Sequence, residues 1–183
     1  MIGLRRRAGG KGLGRVVGLV GLLTLMAILG ALALAPSSGS GLRGSEASYA
    51  KVKVFFPRGV VGNSCGRVFA VGRSVRRPAL LTGAMKALLA GPTKAERKKG
   101  YGGWFSAKTA RMLRSARIDD GTAYVDFRNF SRLIPNASTS CGSALLLAQL
   151  NRTATQFATV DRAVYSFNGS RGAFYNWLQM SAP

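Results

Sequence analysis

The stretch PALLTGAMKALLAGPTKAERKKGY, Pro78–Tyr101, decides how this chain folds. Leu80, Leu81, Ala84, Met85, Leu88 and Leu89 recur at steps of four in two adjacent rows, which lays one broad apolar stripe along a helix. Pro78 suits the first helical turn, where a missing N–H costs nothing, and Gly91-Pro92 ends the helix. Beyond it Lys94, Arg97, Lys98 and Lys99 surround a single acid, Glu96, and the aromatics Tyr101, Trp104 and Phe105 follow directly. The spacing predicts a core helix that runs into a cationic loop.

Upstream, Lys51–Pro57 (KVKVFFP) alternates apolar and polar residues and reads as a strand. Gly59–Gly66 is a turn-rich loop holding Cys65, and Arg67–Val75 alternates again as a second strand. Downstream, Ser106 stands as an N-cap for a short helix over Ser106–Leu113. Ala116–Ile118 and Ala123–Phe127 flank Asp119-Asp120-Gly121-Thr122, a hairpin signal because Gly accepts positive φ and Asp bonds back to the backbone. Asp119, Asp120 and Asp126 invite an acid–base or metal reading, but two of them sit where the turn requires them and the third lies on a strand. The hydroxyls of Ser138–Ser143 precede Leu145, Leu146, Leu147, Leu150, Ala154 and Phe157, which keep helical steps and predict a second core helix. Ala163–Phe167 reads as a last strand, Asn168-Gly169 as a turn, and Ala173–Met180 as a terminal helix carrying Phe174, Trp177 and Leu178.

The N-terminus is different in kind. Residues 1–15 are basic and Gly-rich; residues 16–35 then run without a charge and with one polar side chain, Thr24. Twenty residues of helix span about 30 Å, the thickness of a bilayer's hydrocarbon core. Five cations precede the run and none follows until Arg43, which predicts a single-pass anchor with the C-terminal part outside the cytoplasm. Ala31-Leu32-Ala33 and Ala33-Leu34-Ala35 resemble cleavage sites, so secretion after signal cleavage is the alternative. Residues 36–50 are Ser/Gly-rich and read as a linker, and 51–183 as the folded domain.

Charge and missing residue types narrow the function. The chain has 27 Lys+Arg, 6 Asp+Glu and no His, for a net charge of +21; the part after residue 43 still carries +15. Such a surface attracts polyanions, although solubility alone also accounts for it. Without His, general-base and zinc chemistry lose their usual base and ligand. The sequence therefore offers no catalytic, cofactor-binding or metal-binding residues. Cys65 and Cys141, each near the end of an element, read as one structural disulfide of an oxidising compartment.

The order of these elements resembles the GerMN domain of the sporulation and spore germination family. The carriers are VKVFFPR (Val52–Arg58), LLTGAMKALLAGPTKAERKKGY (Leu80–Tyr101), DDGTAYVDF (Asp119–Phe127) and STSCGSALLLAQLNRTATQFATVDRAVYSFNG (Ser138–Gly169), and together they cover roughly residues 51–179. The resemblance implies an α+β domain with a small mixed or antiparallel sheet of about four to five strands. Two main helices pack on one face of it, and a short C-terminal helix follows. It also implies a membrane-tethered bacterial envelope protein with no catalytic centre, and its likeness to ring-building modules hints at self-association.

Two function classes follow. The first is a non-enzymatic envelope module that binds a protein partner or itself. The second is binding of an anionic polymer (wall polymer, anionic lipid or nucleic acid) through Lys94, Arg97, Lys98, Lys99, Lys108 and Arg111, with Tyr101, Trp104 and Phe105 beside them as stacking rings, although rings such as Trp104 and Phe105 more often pack than stack. Duplex or single-stranded nucleic acid is the least favoured of these partners.

Overall fold

The computed structural model describes residues 48–59 and 65–183, all within one compact unit. The expected anchor at 16–35 and nearly all of the expected linker at 36–50 lie outside them. No helix among the described residues is long and apolar enough to cross a membrane.

The fold is α+β, with five strands in two sheets and four helices among the described residues. The first sheet is an antiparallel hairpin of β1 (Tyr49–Phe56) and β2 (Phe69–Arg76), which opens two residues before the expected Lys51. Helices α1 (Leu80–Leu89) and α2 (Lys94–Lys98) follow. The second sheet has the order β3 (Leu113–Asp119), β4 (Thr122–Phe127), β5 (Arg162–Phe167), antiparallel between β3 and β4 and parallel between β4 and β5. Helix α3 (Ser140–Ala154) connects β4 to β5 after two 3-10 turns, Ser131–Leu133 and Pro135–Ser138. Helix α4 (Arg171–Trp177) ends the regular structure.

One core joins the two sheets. The stripe on α1 turns inward as its spacing predicts, with Ala84, Met85, Leu88 and Leu89 at 0% exposure. It meets Val54 and Phe56 of β1, Val125 and Phe127 of β4, Leu146 and Leu150 of α3, and Phe174 of α4. Phe127, Phe130, Phe167, Phe174 and Trp177 form an aromatic cluster with ring centroids 5.0–6.2 Å apart. Each such pair adds about 0.5–1.5 kcal/mol beyond its area burial. The Asp120-Gly121 hairpin is a two-residue turn with positive φ at both positions, 43° and 66°, and it pairs Asp119 with Thr122.

Side-chain amides close the free edge of β1. Gln156 Nε2 donates to Lys53 O at 2.7 Å while Lys53 N donates to Gln156 Oε1 at 2.7 Å. Buried Gln149 donates to Phe55 O at 3.3 Å. The two contacts satisfy strand groups that a second chain could otherwise pair with. Cys65 and Cys141 are disulfide-bonded with Cα atoms 4.9 Å apart, so the loop before β2 is tied to the first turn of α3.

Three local expectations need correction. Pro78 precedes α1 instead of sitting in its first turn, and Ala79 is the N-cap. Lys94–Lys98 is a short helix, not a loop: Thr93 Oγ1 accepts from Glu96 N at 3.2 Å and the Glu96 carboxylate accepts from Thr93 N at 2.8 Å. Ser106–Leu113 is a run of turns leading into β3, not a helix. Its backbone closes i to i−3 contacts at Thr109, Ala110 and Met112, and buried Thr109 donates its hydroxyl to Leu89 O at 2.6 Å while accepting from Ser106 N at 2.9 Å. That bond fixes the segment to the end of α1 and leaves no continuous helical ladder.

Candidate functional site

The residues singled out in the sequence scatter over three environments. Lys94, Arg97, Lys98 and Lys99 are exposed on α2 and its C-cap, and Lys108 and Arg111 are exposed on the turns that follow. Arg97 folds back to donate to Pro92 O. Tyr101 bridges to Arg58, whose guanidinium lies 5.5 Å from the Tyr101 ring centroid and whose Nε donates to Lys99 O at 3.0 Å. Trp104 packs against the core and donates its indole N–H to Gly142 O at 3.2 Å. Phe105 is 2% exposed and meets Phe130 edge-on at 6.2 Å. Two of the three rings are thus packing residues, and the cations of α2 stand without the stacking platform that their order in sequence suggested.

Glu96 anchors this region. Its carboxylate accepts both Nη1 and Nη2 of Arg73 at 2.6 and 2.7 Å, with both side chains about 15% exposed. The Arg73 guanidinium holds the Glu96 carboxyl below its usual range; partial burial opposes this and the Thr93 backbone N–H adds to it. The only acid of the run thus serves as a strut between α2 and β2.

A second constellation arises on the face of β3–β4–β5 turned away from the core. Side chains alternate across a strand, so while Ala123, Val125 and Phe127 face inward, Tyr124 and Asp126 face outward. Cross-strand pairing sets Arg117 opposite Tyr124. The Arg117 guanidinium lies 4.2 Å from the Tyr124 ring centroid, and Arg171 at the start of α4 lies 5.6 Å from the same ring. One register step along, Asp126 is saturated: Oδ1 accepts from Ser166 Oγ at 2.7 Å and Gly169 N at 2.8 Å, and Oδ2 accepts from Arg114 Nη1 at 2.8 Å. The bond to Gly169 clamps the Asn168-Gly169 turn and thereby places Arg171 over the sheet. Arg117, Tyr124, Asp126, Ser166, Gly169 and Arg171 line a hollow of about 280 Å³.

The groups on this face are of types that suit recognition. Guanidinium forks and an aromatic ring bind carboxylates and planar groups well, and Arg and Tyr are enriched where proteins meet. The carboxylate in the hollow has its oxygens occupied by donors. Arg117 also reaches Asp119 at 2.6 Å, but that pair is about 60% exposed on both sides and is open to exchange with another carboxylate. Elsewhere the perturbed groups are Tyr165 and Tyr175, both raised by burial, and both have structural partners: Tyr165 donates to Asn151 Oδ1 at 2.8 Å, and Tyr175 Oη accepts from Tyr165 N at 3.3 Å. No cluster of three metal-ligating side chains occurs among the described residues.

The family model described as Germane, sporulation and spore germination, matches residues 53–172. No curated protein sequence matches the chain significantly. Among solved structures, the chain is similar to the first GerMN domain of the sporulation protein GerM from Bacillus subtilis, at 18% identity, over 66% of this chain and 84% of that one, with a TM-score of 0.41. It is also similar to the tandem GerMN domains of the same protein, at 16% identity, over 73% of this chain and 43% of that one, with a TM-score of 0.43.

Proposed function

Because the chain belongs to the Germane family of sporulation and spore germination, we propose that it is a non-enzymatic, extracytoplasmic interaction module of the bacterial envelope. It takes part in sporulation or germination by holding a protein partner. The observation that carries the reading is the face of β3–β4–β5 that no helix among the described residues covers, where Arg117, Tyr124 and Arg171 form one cationic and aromatic patch while the helices cover the opposite face. A partner offering carboxylates around a planar or apolar anchor matches it. Export on the apolar run at 16–35 agrees with the disulfide, which requires an oxidising compartment to persist. The cations of α2 remain a solvated basic helix in this reading, since Trp104 and Phe105 are committed to packing.

The test is the triple variant Arg117→Ala, Tyr124→Ala, Arg171→Ala, expressed at native level and solubilised from the envelope. The protein should keep its thermal midpoint to within a few degrees, because exposed charge pairs contribute only about 0–1 kcal/mol each. It should run as the free chain where the unaltered protein runs in a larger complex. A complex of unchanged size would end the assignment of this face.

A further inference from the structure

We propose that the outer face of the β1–β2 hairpin rests on an anionic lipid bilayer, so that the domain is held against the membrane and not suspended above it. This rests on the membrane tether read from residues 16–35 and is independent of the partner face. The register sets Tyr49 beside Arg76, Lys51 beside Ser74 and Lys53 beside Gly72 on one face, while Val52, Val54, Phe56 and Val75 are buried on the other. Lys51, Lys53 and Arg76 are exposed, and Arg152 of α3 reaches the same side, with its guanidinium 5.4 Å from the Phe55 ring centroid.

Among the described residues no acid compensates the charge of this face. No Asp or Glu occurs between Glu46 and Glu96, so neither strand carries an acid. The described ion pairs take Arg73, Arg114 and Arg117 and none of Lys51, Lys53, Arg76 or Arg152. Tyr49, 62% exposed at the edge of the patch, has the apolar ring and polar tip that favour the headgroup level of a bilayer.

Chain length brings the face to the surface. Thirteen residues, 36–48, separate the apolar run from Tyr49. A Gly/Ser-rich chain of that length has a mean reach of roughly 20 Å. That is comparable with the radius of the domain, and β1 is the first element it delivers. Tethering makes contact intramolecular, so a patch of a few cations suffices where a free protein would need more. Cations act only within about a Debye length of the headgroups, roughly 8 Å at physiological salt, and a flat sheet face places several there together.

The experiment uses the full chain in nanodiscs, either of neutral phosphatidylcholine alone or with about a third of phosphatidylglycerol, and reads lysine acetylation by mass spectrometry. Lys51 and Lys53 should label at least about threefold more slowly in the anionic discs, as expected for burial against a charged surface. Lys94, Lys98 and Lys99 on the α2 side should label alike in both. About 1 M salt, with a Debye length near 3 Å, should abolish the difference. Equal labelling of Lys51 and Lys53 in the two discs, protection of the α2 lysines in their place, or protection that survives high salt would overturn the proposal. So would failure of the chain to co-purify with either disc. No protein partner is present, so these outcomes are independent of the partner face.

Discussion

Glu96 shows how a single carboxylate can define a region. It caps its own helix through Thr93 and takes both guanidinium nitrogens of Arg73 across to β2. Replacing Arg73 by Ala leaves the carboxylate with one partner and should cost about 1.5–3 kcal/mol, the range for bonds to a charged group. The pH dependence has a definite sign. The folded carboxyl titrates below its ordinary value of 4.5, so its contribution is fully present above that pH and lost as pH falls through the folded value. Urea midpoints measured from pH 7 to pH 3 should therefore converge for Arg73→Ala and the unaltered protein at the acid end. Parallel curves with a constant gap would contradict the account. The Thr93-x-x-Glu96 spacing was visible in the sequence, yet the surrounding cations made the run read as a loop. Its decisive partner, Arg73, lies 23 positions upstream, where local spacing carries no information.

At the scale of elements, sequence and structure agree wherever periodicity is strong and burial two-sided. The stripe of α1, the Leu repeats of α3 and the Asp120-Gly121 hairpin are all present. The hairpin also contained a signal for the Tyr124 face, since a two-residue turn pairing Asp119 with Thr122 sets Arg117 opposite Tyr124 by counting alone. Arg171 was beyond reach because it arrives through the parallel pairing of β5 and the clamp of Asp126 on Gly169. The packing of Trp104 and Phe105 has a related cause. They follow cations in sequence, but the chain turns sharply at Gly91, with φ of 76°, and returns Phe105 to the core. The disulfide, expected from element ends, joins segments that share no secondary structure and closes 76 residues. On the chain-entropy model it stabilises by roughly 4–5 kcal/mol. The double variant Cys65→Ser, Cys141→Ser should lose much of that in urea unfolding at pH 7; an unchanged midpoint would mean that the bridge constrains nothing in the unfolded chain.

At the scale of the described domain, the expected small sheet is divided into two, and the division creates two faces of different charge. The hairpin β1–β2 carries acid-free positive charge, whereas four of the five described acids, Asp119, Asp120, Asp126 and Asp161, lie on or beside β3–β4–β5. Under the proposed membrane contact, that asymmetry turns the hairpin toward the anionic surface. Composition stated the net charge but not its distribution, which depends on which strands pair. The central claim is that the Tyr124 face holds a protein partner, and photo-crosslinking in the native envelope tests it most directly. A photoreactive amino acid replaces Tyr124 in one strain and Lys98 in another. Irradiation should give a discrete protein adduct from position 124 and none from position 98. An adduct from 98 alone, or none from 124 while the protein is present at its normal level, would contradict it.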